Sequence, residues 1–122
     1  MDAPGLIPSL IGAPLSPAGG PAAGTVVDLL VDATSHPVWL LVRLRAATRP
    51  YTFVPADRMA TRADAIVVPY DEAALRDSPV RLDDPGPFRR AYATLLSRYY
   101  GLRAPASDPR GVRAAGVSRA AA

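Results

Sequence analysis

The clearest pattern in the chain is a period-two alternation of apolar and polar positions through its middle. In "TVVDLLVDA", residues 25–33, Val27, Leu29, Val31 and Ala33 share one face and Asp28 and Asp32 share the other, which predicts a half-buried strand. "TSHP" is a turn. In "VWLLVRLRA", residues 38–46, Val38, Leu40, Val42, Leu44 and Ala46 point inward and Trp39, Leu41, Arg43 and Arg45 outward, so the two runs predict an antiparallel pair. Upstream, "SLIGAPL" (9–15) predicts a short edge strand with Pro14 at the rim, and "SPAGGPAAG" predicts the turn of a first hairpin. Downstream, "PYTFVPAD" and "AIVVPY" are two further strand-like runs ended by Pro55 and Pro69 and joined by the polar "RMATRAD". Short strands at even spacing, with no long helix between them, predict a mainly β fold: a small antiparallel barrel or a strongly twisted sheet of about six strands.

After Tyr70 the period lengthens. Asp71 is placed to cap the amides of "EAALRD", with Tyr70 and Leu75 as a hydrophobic staple across that cap, and Pro79 ends this short helix. From Pro87, Phe88, Tyr92, Leu95 and Tyr99 fall at i, i+4, i+7 and i+11, the stripe of a C-terminal amphipathic helix that Gly101 closes. That stripe is expected to pack on the sheet. Tyr100, about 100° around the helix from Tyr99, is expected to face outward or toward the rim. Asp84 is expected to help cap the helix.

Composition narrows the reading. The chain has 122 residues, 49% of them apolar, which suits one domain with a modest core. Residues 1–8 have no periodic pattern and are expected to be flexible. The domain is expected to span 9–102. Residues 103–122 have few large apolar side chains and are expected to form a disordered basic tail. No apolar run reaches the ~18 residues of a membrane-spanning helix. "MDAPGLIPSLIGAPL" has an acid and prolines where a signal peptide carries basic and continuous apolar stretches, so a cytoplasmic protein is expected.

The net charge is +3, but residues 1–102 hold ten arginines and ten acids, and the excess comes from Arg103, Arg110, Arg113 and Arg119 against Asp108. Basicity therefore gives weak support to a nucleic-acid partner.

Candidate chemistry is sparse. There is no cysteine, which removes disulfides, thiolate metal sites and a cysteine nucleophile. His36 is the single histidine and lies in a turn. Asp28 and Asp32 are about 13 Å apart along an extended strand, too far for a coupled acid pair, and are expected to be solvated. No G-x-S-x-G, P-loop or G-x-G-x-x-G motif occurs. The expectation is a protein without catalytic residues, metal or cofactor. For binding, Trp39 flanked by Arg43 and Arg45 is a candidate protein-docking face if the C-terminal helix leaves it open, and Tyr100 is a further candidate. Val27, Leu29, Val31, Leu40, Val42, Phe88, Tyr92, Leu95 and Tyr99 make up the expected core.

The order "LIGAPL", glycine turn, "GTVVDLLVDA", "VWLLVRL", "FVPAD", "IVVPYDEAALRDSP" and "RYYGL" resembles the PRC-barrel domain, in particular stand-alone bacterial members with a tyrosine-doublet helix. The resemblance covers about 90 residues, the size of one domain. It implies a β-barrel of about six strands whose first hairpin joins "LIGAPL" to "GTVVDLLVDA". The family also occurs in the cytoplasmic part of the photosynthetic reaction centre H subunit and in the C-terminal domain of the ribosome maturation factor, in both as a docking surface without catalysis. This chain lacks the membrane helix of the first and the preceding domain of the second. The resemblance therefore implies a non-enzymatic adaptor with a protein partner or a second copy of itself. The alternatives are an RNA-linked ribosome-assembly factor and an accessory subunit of a membrane electron-transfer complex.

Overall fold

The computed structural model of the protein describes residues 10–34, 36–102 and 113–114. The expected flexible segment 1–8 lies outside them, as does the expected disordered tail except for Arg113 and Ala114. The strands are β1 (Pro14–Ser16), β2 (Gly24–Val31), β3 (Pro37–Leu44), β4 (Tyr51–Pro55), β5 (Ala60–Arg62), β6 (Ala65–Val67) and the two-residue β7 (Arg113–Ala114). The helices are α1 (Glu72–Arg76) and α2 (Arg90–Tyr99).

Six strands form one sheet in the order β4-β3-β2-β1-β6-β5, and β7 adds to β2 at Leu30 and Val31. The mainly β expectation holds, and the first hairpin pairs Pro14 with Thr25 as expected. The antiparallel barrel does not hold. The β1–β6 pair is parallel, and the sheet does not close, since β4 and β5 remain the two ends of the pairing path. The sheet must nevertheless curl. Six flat strands would put β4 and β5 roughly 24 Å apart, whereas the five peptide steps from Pro55 to Ala60 span at most about 18 Å. Nor is β1 an edge strand. It lies between β2 and β6, and Pro14, with no N–H to give, pairs only with β2.

The curled sheet encloses Leu15, Val26, Leu29, Val31, Leu40, Val42, Leu44, Val54 and Ile66, and α1 closes this core with the fully buried Leu75. Leu30, Trp39, Leu41 and Phe53 occupy the opposite side of β2, β3 and β4, where they form a second core with Val80 and Leu96 of α2. Both faces of these strands are thus covered, which is why their sequences read as doubled apolar runs. The two phases of β2 are joined by a register shift between Val26 and Asp28. This bulge turns Val27 half outward to the second core, puts Val26 in the first, and buries Asp28, whose carboxylate accepts the Leu29 N–H at 2.8 Å. The expectation of an inward Val27 and a solvated Asp28 is corrected by that one extra residue.

Local signals at the helix ends hold well. Asp71 accepts the Ala74 N–H at 2.8 Å, and Tyr70 packs against the core that contains Leu75. Gly101 has φ +72°, and the Leu102 and Gly101 amides donate to the Ser97 and Arg98 carbonyls, a Schellman closure. Among the described residues, no helix is long and apolar enough to cross a membrane.

Candidate docking surface

The residues expected to dock a partner do not gather on one surface. Trp39 has no exposed area; its ring lies 5.3 Å from that of Phe88, and Phe88 meets Phe53 edge-on at 4.9 Å. The covered alternative is the one realised, so Trp39 serves as a core residue. Arg43 and Arg45 are exposed, Arg43 opposite Tyr51 on β4, and the Arg45 carbonyl accepts from Arg76 at 3.0 Å. Tyr100 is half-buried. Its ring lies 4.6 Å from Tyr70 and 5.0 Å from Tyr99, and burial, reinforced by those two neighbours, pushes its phenol well up.

The helix stripe also differs from the expected one. Phe88 precedes α2, because Arg89 is extended (φ −103°, ψ 153°) and the helix begins only at Arg90. Phe88 therefore reaches the core from a loop, and its position sets no phase for the helix. Ala93, Leu96 and Ser97 are the buried residues of α2, with Tyr92 and Tyr100 beside them. Leu95 and Tyr99 are accordingly out of the core, 46% and 40% exposed, and they are the exposed large apolar side chains among the described residues. Asp84 is exposed and the α2 N-cap is Arg89, with no side-chain cap.

Leu95 and Tyr99 are one turn apart on the same face. Tyr99 is fixed there: its hydroxyl donates to the Ala74 carbonyl of α1 at 2.9 Å. Desolvation first, and then the charges of Asp77 and Asp71, hold its phenol above the usual tyrosine range. The result is an exposed apolar patch of one leucine and one aromatic ring whose hydroxyl is tied to α1. The sequence carried a signal for it in the adjacent pairs Leu95-Leu96 and Tyr99-Tyr100, since only one member of each pair can face the sheet.

Among the described residues, the turn at Asp32 is an arrangement that outwardly suggests chemistry. Its carboxylate accepts the Thr34 N–H at 2.9 Å, the Thr34 hydroxyl at 2.7 Å and the His36 N–H at 3.0 Å, and Thr34 Oγ1 lies 2.6 Å from His36 Nδ1. In a nucleophilic triad the hydroxyl gives its proton to the imidazole. Here the hydroxyl proton points to the carboxylate, on an exposed turn. The geometry is that of an Asx turn. Two shallow depressions flank the β5–β6 hairpin, and each brings only one ionisable side chain, Arg62 or Asp64. Among the described residues, no cluster of histidine, aspartate and glutamate is arranged to hold a metal ion.

No protein-family model matches the chain, and no curated protein is significantly similar to it.

Proposed function

We propose that the chain is a non-enzymatic protein-interaction module that docks a partner on the outer face of α2, in keeping with its resemblance to the PRC-barrel domain. The observation that carries this reading is the exposure of Leu95 and Tyr99, one turn apart, while the other large apolar side chains among the described residues are at least partly buried. An apolar patch centred on an immobilised tyrosine is the composition of an interface anchor. The sheet supports the helix from beneath through Leu96, Phe53 and Trp39, so the patch is presented on a rigid base.

The test replaces Leu95 with a photo-crosslinking amino acid in the source cells, with Arg62 on the β5 strand as a control position. A discrete protein should cross-link at Leu95 and not at Arg62. Its purified form should bind the wild-type chain and lose binding to Leu95→Glu, whose thermal unfolding should be unchanged. Equal cross-linking at both positions, or undiminished binding by a folded Leu95→Glu, overturns the reading.

A further inference from the structure

The charge around the patch indicates what it fits. Between Asp84 and Asp108 the sequence contains no acid, and it has four arginines, at 89, 90, 98 and 103. Arg90, Thr94 and Arg98 are exposed at i, i+4 and i+8, and Ala91, Leu95 and Tyr99 are exposed at the same spacing one residue on. The outer face of α2 is thus two parallel ridges, one tipped with guanidinium groups and one apolar. Of the other arginines of the body, Arg76 pairs with Glu72 at 2.7 Å and Arg81 donates to the Arg49 and Arg76 carbonyls. Among the described residues no carboxylate lies within ion-pair distance of Arg90 or Arg98. Arg89 and Arg90 also stand at the N-terminal end of the helix, where its own dipole disfavours positive charge. The helix therefore carries cations that its own fold does not use.

Resting on the docking role of α2, we infer that the partner element is an acidic amphipathic segment of another protein, with apolar anchors for Leu95 and Tyr99 and carboxylates that meet Arg90 and Arg98. Those two arginines are separated by eight residues, about 12 Å of helix. A helical partner matches them with acids seven or eight positions apart on the edge of its apolar stripe. A second copy of this chain is a poor occupant. A two-fold contact of α2 with itself sets arginine against arginine with no acid on either helix. An anionic membrane supplies the charge but needs more apolar insertion than one leucine and one hydrogen-bonded tyrosine offer.

The experiment selects binders from a displayed library of random 16-residue peptides on the full chain. The enriched peptides are then synthesised, and their affinities for wild type, Leu95→Glu and the Arg90→Glu/Arg98→Glu double variant are measured by fluorescence anisotropy. The inference expects peptides of net negative charge with two acids seven or eight apart. It also expects about tenfold weaker binding to the double variant, recovered when the peptide acids are changed to lysine. If the peptides that lose binding on Leu95→Glu are neutral and indifferent to the double variant, the acidic partner is refuted while the docking face stands. If no enriched peptide depends on Leu95, both are refuted. Tighter binding to phosphatidylglycerol vesicles than to any peptide, or a dimer in sedimentation that Leu95→Glu dissolves, also overturns it.

Discussion

Two neighbouring leucines on α2 give a direct test of how the helix sits. Leu96 has no exposed area and packs in the second core with Trp39, Leu41, Phe53 and Val80, whereas Leu95 is 46% exposed. Leu96→Ala removes three buried carbons, about 2.4 kcal/mol at about 0.8 kcal/mol each. The cavity left beneath the helix brings the expected loss into the range of roughly 2.7–5 kcal/mol. Leu95→Ala takes carbons that are already half in water and leaves no hole, so its cost should be about 0.5 kcal/mol or less. The assay is urea unfolding followed by tryptophan emission, for which Trp39, the single tryptophan and fully buried, is a built-in probe of the layer under α2. The midpoint should fall steeply for Leu96→Ala and barely move for Leu95→Ala, with unchanged slope. Equal losses, or a larger loss at Leu95, would refute the helix phase and with it the docking face.

Gly24 pairs with both Leu15 and Leu44, and a Cβ there would lie 2.6 Å from the Arg43 carbonyl oxygen. Gly24→Ala should therefore lower stability by on the order of 1–3 kcal/mol in thermal unfolding, and a neutral result would show that the strands can separate. The Ser97 hydroxyl is buried with no hydrogen-bond partner among the described residues, so Ser97→Ala should be neutral or stabilise by about 1 kcal/mol, and a marked loss would mean that a partner exists. Asp32 has its carboxyl held below the usual 3.8 by the Thr34 hydroxyl and the His36 and Thr34 amides. A depressed folded value stabilises the turn above the unfolded pKa, and this support is lost as pH falls through the folded one. A carboxyl-carbon NMR titration should accordingly place its midpoint below 3.8, and a midpoint at or above the unfolded value contradicts the turn geometry.

What could be read from the sequence was what is decided locally. The Asp71 cap and the Gly101 closure depend on residues within one or two turns of each other, and both occur. The β2–β3 pairing was equally plain, because both runs are long and face each other across a short turn. Elsewhere the pattern and the structure differ for reasons that simple alternation does not register. Alternation puts Trp39 and Leu41 outward in phase with Arg43, but the helix and the Phe88 loop cover the first two and stop short of Arg43. Strict alternation puts Val27 inward because it cannot register a bulge, although the doubled pairs Val26-Val27 and Leu29-Leu30 are a sign of two-sided burial. The count from Phe88 points to the wrong face of α2 because Phe88 lies outside the helix. β5 went unseen since Ala60, Thr61 and Arg62 are all exposed and have no apolar face to betray them.

The burial of Trp39 and the exposure of Leu95 are two consequences of one packing choice. The sheet offers α2 a face made of Trp39, Leu41, Phe53 and Leu30, bulky enough that the helix residues lying closest are small or single-branched: Ala93, Leu96 and Ser97. Phe88 and Tyr92 fill the flank, with rings 5.3 and 5.8 Å from Trp39 and Phe53 respectively. A helix seated on so narrow a stripe has its other large side chains directed away, and Leu95 and Tyr99 are those side chains. Stability alone would favour polar residues there, since an exposed leucine on a surface helix adds nothing to the core and invites association. The Tyr99 hydroxyl bond to Ala74 ties the exposed face to α1 and hence, through Leu75, to the first core. Elements anchored in both cores thus carry this one small apolar surface, which is what the proposed docking role requires of it.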